Sequence, residues 1–334
     1  MAKRKVAIGI DVGSKQFHVA VGGREDVEVF ENSPSGRKRL VKAIRQHRCG
    51  IVVALESTGP YGLELALDLH RVARIEVRYI NPMAAKAYAS RGLTRAKSDR
   101  VDARALARMA ADELGVPWDP PSEHALALRA LTRRIRTLIY DRTREKNRLE
   151  STRAAGVLPR VLITDIEENI VALDQRIERL RERALEFART DATVSTNIDL
   201  LCTMKGIGDA SAVEILAELG GMPKDLTAKQ LVAQAGLDPR AKQSGTRDGP
   251  RSISKMGSRY LRAALHMAAI NSVRWRPEVA GFHRILTEER NKPQLVAYVA
   301  VARKLLHVIH GMLKTRTAYD PDRFYQPKEV RSAA

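Results

Sequence analysis

Asp11 follows the apolar run Val6–Ile10 in Gly9-Ile10-Asp11-Val12-Gly13, and Glu56 ends the apolar run Ile51–Leu55. Buried strands seldom tolerate a carboxylate, because an unpaired charge taken out of water is costly. Asp99 and Asp102, in Lys97-Ser98-Asp99-Arg100-Val101-Asp102-Ala103-Arg104, are three apart and share one face of a helix. Four carboxylates delivered by two strands and one helix can hold a pair of divalent cations about 4 Å apart, which activates a water or hydroxyl and stabilises the leaving oxygen in phosphoryl transfer. The fifth candidate is Ser244, which precedes Gly245 in a turn-rich stretch among Arg240, Lys242, Arg247, Arg251 and Lys255. A serine hydroxyl attacks phosphate once a base or metal takes its proton, while arginines hold a scissile phosphate and its developing charge. No local His-Asp partner suggests a hydrolase triad.

Each candidate has a plainer reading. Asp99 after Ser98 can be a first-turn acid complementing the helix dipole, Asp102 a partner of neighbouring arginines, and Ser244-Gly245 a phosphate-binding turn. Gly9–Gly13 also resembles the first phosphate loop of actin-like ATPases and sugar kinases, but a second phosphate loop and an adenosine site are not found.

The chain has 334 residues with 58 Lys plus Arg against 39 Asp plus Glu, a formal net charge of +19. Such an excess calls for a polyanion, of which nucleic acid is the usual one and an anionic membrane surface the alternative. With 44% hydrophobic and 29% charged residues the chain can bury a core, which excludes global disorder, and its length suggests two or three domains. Cys49 and Cys202 are far apart and lack a metal-ligand spacing, which argues against a zinc ribbon, a CxxC redox site or a secreted disulfide framework and for a reducing cytoplasm. The apolar stretch from Val6 is broken by Asp11, too soon for a signal peptide, and no run is expected to approach a membrane span.

The elements that would carry the acids are legible. Residues 5–21 read as strand, glycine turn and strand, 27–30 as a third alternating segment, 36–47 as a helix, 51–55 as a central strand and 75–80 as a strand closed by Pro82. A basic helical pattern runs from Met83 to about Leu114, through Arg91, Arg95 and Lys97, and is broken by the Pro-rich stretch at 115–121. From Arg129 to Arg153 nine basic residues face three acidic ones, and from Ile163 to Phe187 apolar residues alternate at spacings of three and four. This predicts a coiled-coil hairpin or dimerisation arm, the alternative being an ordinary amphipathic helix packed on its own domain. Beyond about Asn197, two apolar-faced segments joined by Lys205-Gly206-Ile207-Gly208-Asp209 resemble a helix-hairpin-helix, in which backbone N–H groups approach phosphate. Helices are expected at about 258–273 and 293–313, with a loosely ordered tail beyond Tyr319. The order strand-Asp, strand-Glu, helical Asp-x-x-Asp is that of a ribonuclease-H-like nuclease domain.

Several linked motifs share this order. They are Gly9-Ile10-Asp11-Val12 with Val19-Ala20-Val21, Glu56-Ser57-Thr58-Gly59-Pro60-Tyr61, Lys97-Ser98-Asp99-Arg100-Val101-Asp102-Ala103, Gly206-Ile207-Gly208, Gly236-Leu237-Asp238-Pro239-Arg240, Ser244-Gly245, and Ile253-Ser254-Lys255-Met256-Gly257 with Tyr260-Leu261-Arg262. Over about residues 5–315 the chain resembles the insertion-sequence-110 transposases, which pair a DEDD nuclease domain with a catalytic serine, and is similar also to the Piv DNA invertase. The resemblance implies a RuvC-like domain whose Asp11, Glu56, Asp99 and Asp102 bind Mg²⁺, with Mn²⁺ as the alternative, and a nucleophilic Ser244 that cuts DNA through a covalent phosphoserine. It further implies homo-oligomers, dimeric or tetrameric, in which the nuclease-like domain of one subunit completes a site with the serine domain of another. Donor and target DNA and a non-coding guide RNA, the bridge RNA, are the implied partners, with no membrane. The implied setting is a prokaryotic cytoplasm, at the nucleoid during reaction.

The expected organisation is a RuvC-like α/β domain over residues 1–116, a coiled-coil arm over 117–193, a mainly helical serine domain over 194–320 and a tail over 321–334. Two rivals make different predictions. A metal-dependent junction nuclease using the four acids alone still cuts DNA as Ser244→Ala and fails as Asp11→Ala. A non-catalytic binder releases nucleic acid steeply with salt and never cuts with Mg²⁺.

Overall fold

A computed structural model describes residues 5–47, 49–56, 60–89, 98–156, 159–223, 225–240, 243–244, 247–248 and 252–325, the two short pairs by their backbone alone. The chain forms two compact units, residues 1–120 and 121–334.

In the first unit, β1 (Val6–Val12), β2 (Gln16–Val21) and β3 (Val27–Glu31) form an antiparallel meander; then come α1 (Pro34–Arg45), β4 (Ile51–Glu56), α2 (Leu63–His70), β5 (Ile75–Ile80), α3 (Pro82–Ala89) and α4 (Asp99–Ala111). The sheet order is β3-β2-β1-β4-β5, with β4 parallel to both β1 and β5. This mixed α/β sheet is compatible with the expected ribonuclease-H-like domain.

Alternation along the strands separates two faces. Ile8, Ile10, Val12, Phe17, Val19, Ile51, Val53 and Leu55 point to one side and form a core with Leu40 and Ile44 of α1 and Leu65 and Leu69 of α2. The opposite face carries small residues and is covered by α4: Ala20 meets Ala103 and Ala107, while Val52, Ala54 and Ile80 meet Leu106, Met109 and Ala110. Gly9 lies on that face at the tightest crossing, where an added Cβ would collide with the Ala107 backbone nitrogen and the Ala103 carbonyl oxygen. After α4 the chain is tied back to β5. The buried Arg78 guanidinium donates to the Gly115 carbonyl at 2.6 Å and to Glu76, and Trp118 N–H donates to the Val77 carbonyl.

The continuous helix expected from Met83 to Leu114 is replaced by two. Ser98 is extended (φ −152°, ψ 150°) and caps α4, its hydroxyl accepting from the Val101 N–H, so a new helix starts there. Arg91, Arg95 and Lys97 fall outside the described residues, as do Ser57, Thr58 and Gly59. Helix α2 was not expected.

The second unit contains α5 (Glu123–Ala154), α6 (Arg160–Arg189), α7 (Ala192–Cys202), α8 (Asp209–Leu219), α9 (Ala228–Gln234), four two-residue strands β6 (Pro239–Arg240), β7 (Gln243–Ser244), β8 (Arg247–Asp248) and β9 (Ser252–Ile253), α10 (Arg259–Trp275), α11 (Pro277–Arg284), a π-helical turn (Ile285–Glu289) and α12 (Gln294–Thr315). Helices α5 and α6 pair as an antiparallel hairpin: Leu128, Ile135 and Leu138 share a core with Leu173, Ile177 and Ala184, and Arg142 reaches Asp174 at 2.6 Å. The same core takes in α7 to α12. Glu218 of α8, 4% exposed, joins α5 to α10: it accepts two hydrogen bonds from Arg133 (2.7 and 3.0 Å) and one from Ser258 (2.6 Å), whose hydroxyl also caps α10. Three donors offset the cost of burying that charge.

Two expectations change here. Helix α12 is long and apolar enough to cross a membrane by length and composition, yet Val301, Leu305, Leu306 and Ile309 are fully buried in the core of this unit. The chain also stays packed beyond Tyr319: Phe324 is fully buried with its ring edge-on to Phe282, and residues 326–334 lie outside the described residues.

Gly9→Val tests the crossing of α4 over β1. Overpacking a filled core costs about 1–3 kcal/mol, and the variant is expected to unfold at lower denaturant than wild type and to lose divalent-cation binding with it. Denaturant titration and calorimetry on the full chain check this.

Candidate active site

The packing of α4 on β1 assembles the acidic group. Asp11 lies two residues beyond Gly9 on β1 and Glu56 two beyond Ala54 on β4, so both belong to the strand face that α4 covers. The parallel register Ile10↔Leu55 sets them side by side at the carboxyl ends of neighbouring strands. Asp99 and Asp102 are in the first turn of α4. Asp11, Glu56 and Asp102 are half-buried, and Asp99 is exposed.

The electrostatics join the four. Burial pushes the Asp11 carboxyl up to about 6, and the negative charges of Asp99, Asp102 and Glu56 add to the rise, against a hydrogen bond from the Val12 backbone. The charges of the other three acids thus all reach Asp11, while the ligand atoms that lie within 4.8 Å of one another are those of Asp11 and Asp99, together with His18; Glu56 and Asp102 are outside that group.

Sequence reasoning missed His18. It stands directly across from Asp11 in the β1–β2 pairing, so both side chains share a face. Ligand atoms of Asp11, His18 and Asp99 lie within 4.8 Å of one another, and His18 Nδ1 is 3.8 Å from Asp99 Oδ2. That nitrogen is buried and makes no hydrogen bond. The pointer in the sequence is the Gln16–Val21 alternation, which puts His18 on the face of Ala20.

A carboxylate pushed up to about 6 by burial and by three neighbouring acids, beside a buried ring nitrogen that makes no hydrogen bond, fits a divalent cation. The donors are mainly hard oxygens, the set that suits Mg²⁺ and Mn²⁺.

Ser244 is in the second unit. Its backbone pairs with Arg247 in a short ribbon, β7 with β8, which lies in sequence between the strands of a second pair, β6 with β9. The chain on either side of the β6–β9 pair is held in place. A Cβ on Gly257 would strike the Gln234 carbonyl and the Ala235–Gly236 peptide, and Arg262 donates from Nη1 to the carbonyls of Ala235 (3.0 Å) and Gly257 (2.9 Å). Ser254 donates to Asp238, and Lys255 N–H to the Gly236 carbonyl. Lys242, Gly245 and Arg251 lie outside the described residues.

Asp11→Asn separates the two demands on the site. The folded-state value near 6 lies above the ordinary 3.8, so Asp11 favours folding when protonated, and that contribution is lost as pH rises from about 4 through 6. Above pH 6, without metal, the charged group is held against its neighbours. Discounted for its partial exposure, the relief in Asp11→Asn is about 1 kcal/mol, a rise of roughly 2–4 °C in Tm at pH 8. The gain should vanish by pH 4, and added divalent cation should stabilise wild type but not the variant; scanning calorimetry at the two pH values checks both.

Comparison with known proteins identifies the family. A model of the DEDD transposases of IS110 elements, described as "Transposase", matches residues 8–153, and one described as "Transposase IS116/IS110/IS902 family" matches residues 198–284. The pilin gene-inverting protein of Moraxella bovis is 28% identical over 330 residues, covering 95% of this chain and 98% of its own. The transposase for insertion sequence element IS1328 of Yersinia enterocolitica is 23% identical over 288 residues, 78% of this chain and 82% of its own. A probable family 20 transposase of Pseudomonas aeruginosa is 29% identical over 162 residues, about half of each chain. With both parts of the chain matched in order, over residues 8–153 and 198–284, and with relatives along nearly its whole length, the protein belongs to the IS110/IS116 family of transposases.

Proposed function

We propose that the protein is a site-specific DNA transposase or recombinase that cuts and rejoins strands through Ser244, assisted by a divalent cation at Asp11, Glu56, Asp99 and Asp102. The observation that carries this reading is the placement of Asp11 and Glu56 at the carboxyl ends of neighbouring strands, on the face covered by α4, whose first turn carries Asp99 and Asp102. Similarity over nearly the full length to a pilin gene-inverting protein supports DNA as the substrate.

In this reading Asp11 and Glu56, fixed on neighbouring strands, and Asp99 and Asp102, presented by α4, would hold the cation. Mg²⁺ or Mn²⁺ bound there supplies Lewis acidity toward phosphate oxygens and lowers the pKa of a nearby hydroxyl. Ser244 Oγ gives up its proton and forms a bond to phosphorus while the bond from phosphorus to the leaving sugar oxygen breaks, and that oxygen takes a proton. The product is a phosphoserine ester and a free strand hydroxyl. Attack by a partner strand's hydroxyl reverses these steps, rejoins DNA and restores Ser244. Arg240 and Arg247 on the ribbon supply positive charge for the phosphate.

DNA binding draws on the second unit as well. Trp275 is half exposed, with Lys205 and Arg274 each 5.1 Å from its ring, beside the turn between α7 and α8 that resembles a helix-hairpin-helix. Exposed aromatic rings flanked by cations suit nucleic acid. A homo-oligomer joined through the α5–α6 hairpin as a coiled-coil arm, and a structured guide RNA that selects donor and target, complete the reading; sequencing RNA that copurifies with the protein tests the guide.

Protein trapped on cleaved substrate DNA should carry a covalent adduct, visible on a denaturing gel. Ser244→Ala should abolish it, and Asp11→Ala should reduce strand cleavage by a factor of about 10²–10³. An adduct of unchanged yield in Ser244→Ala contradicts the serine assignment, and cleavage without any adduct favours a metal-only nuclease.

A further inference from the structure

We propose that His18 is a nitrogen ligand of the acidic metal site and gives that site a preference for a transition-metal divalent cation, such as Mn²⁺, over Mg²⁺. The inference rests on the four-acid reading of the site and adds a donor of a different class to it.

Three observations meet at this residue. Its cross-strand pairing with Asp11 fixes it on the α4-covered face, so the imidazole sits with the acids through backbone register rather than by a chance rotamer. Its Nδ1 is buried without a hydrogen bond, whereas buried imidazole nitrogens ordinarily find a partner. A ring nitrogen of His18 lies with carboxylate oxygens of Asp11 and Asp99 inside 4.8 Å, a spacing at which one ion can touch all three, and Nδ1 itself is 3.8 Å from Asp99 Oδ2. An ion pair with Asp99 alone would leave the nitrogen at its present 3.8 Å, too long for a hydrogen bond.

The chemical consequence follows from donor type. Mg²⁺ binds oxygen and keeps much of its water, so it gains little from an imidazole. Mn²⁺ tolerates mixed oxygen and nitrogen shells and gains more. In Asp11, Glu56, Asp99 and Asp102 the site has oxygen donors enough for either ion; His18 is the residue that distinguishes them.

Pulsed EPR on the full chain loaded with Mn²⁺ alone reads this without DNA or activity. Wild type should show ¹⁴N hyperfine coupling from a directly bound imidazole, and His18→Ala should lose it while still binding Mn²⁺ about tenfold more weakly. Mg²⁺ affinity, measured by calorimetric titration, should change by less than about twofold. His18→Gln, which keeps a polar side chain of similar reach, should resemble His18→Ala in losing the coupling, and a thermal melt in metal-free buffer confirms that each variant is folded. Mn²⁺ bound without ¹⁴N coupling in wild type, or coupling that persists in His18→Ala, overturns the role of His18 and leaves the four-acid site standing. Equal loss of both metals in a folded His18 variant makes the residue structural and overturns the proposed selectivity. Failure of wild type to bind Mn²⁺ at all overturns both readings.

Discussion

Helix α4 can rest against β1 because the strand face beneath it is built from Gly9 and Ala20, with alanines of its own, Ala103 and Ala107, facing them. Any side chain at Gly9 would meet helix backbone rather than a yielding side chain. This close crossing sets the height of the first turn of α4 over the carboxyl ends of β1 and β4. Asp99 and Asp102 come from the helix, Asp11 and Glu56 from the strands, and the distance between the two layers decides whether they share one ion. The small residues of the face serve the same end as the acids.

Such a site works against the stability of the fold that holds it. Burial first, and then the charges of Asp99, Asp102 and Glu56, raise the Asp11 carboxyl to about 6, and the repulsion from Asp99 and Asp102 acts between β1 and α4, which the packing draws together. The opposing force is apolar burial on the rest of the interface, where Leu106 and Met109 are 2% and 4% exposed against Val52, Ala54 and Ile80. Each buried side chain of that size contributes roughly 1.5–3 kcal/mol. A bound cation would turn the repulsion into attraction, so metal binding and the seating of α4 are coupled. In the second unit the corresponding constraint is beside the β6–β9 pair, where Arg262 and the close approach of Gly236 and Gly257 fix the segments leading into β6 and out of β9.

Much of the first unit was legible because its strands are short, apolar and punctuated. The runs ending at Asp11 and Glu56 stand out by alternation and by the misplaced acid, and the three-residue spacing of Asp99 and Asp102 survives whatever the helix boundaries are. His18 was not legible in the same way: one histidine in an alternating strand carries no mark until the register with β1 is known, and register is a long-range property. Helix α2, in Leu63-Glu64-Leu65-Ala66-Leu67-Asp68-Leu69-His70, is masked by alternation that a strand would share, and two faces of helix are distinguished only when Leu65 and Leu69 meet the core. The break before Asp99 depended on reading Ser98 as a cap, where continuing basic helical composition concealed it. The hairpin of α5 and α6 was visible in its spacing, but its sharing of one core with α7 to α12 depends on contacts that no local pattern encodes.

The central claim is that the charges of three acids, from β4 and α4, all reach Asp11 on β1. Carboxyl ¹³C NMR of the metal-free full chain, with Asp11 assigned by substitution, tests it most directly. A midpoint near 6 that moves part of the way toward 3.8 when Asp99 and Asp102 are both replaced by Asn, with burial and Glu56 keeping it above that value, is the expected result. An Asp11 midpoint already near 3.8 in the wild type, and unmoved by those replacements, would contradict it.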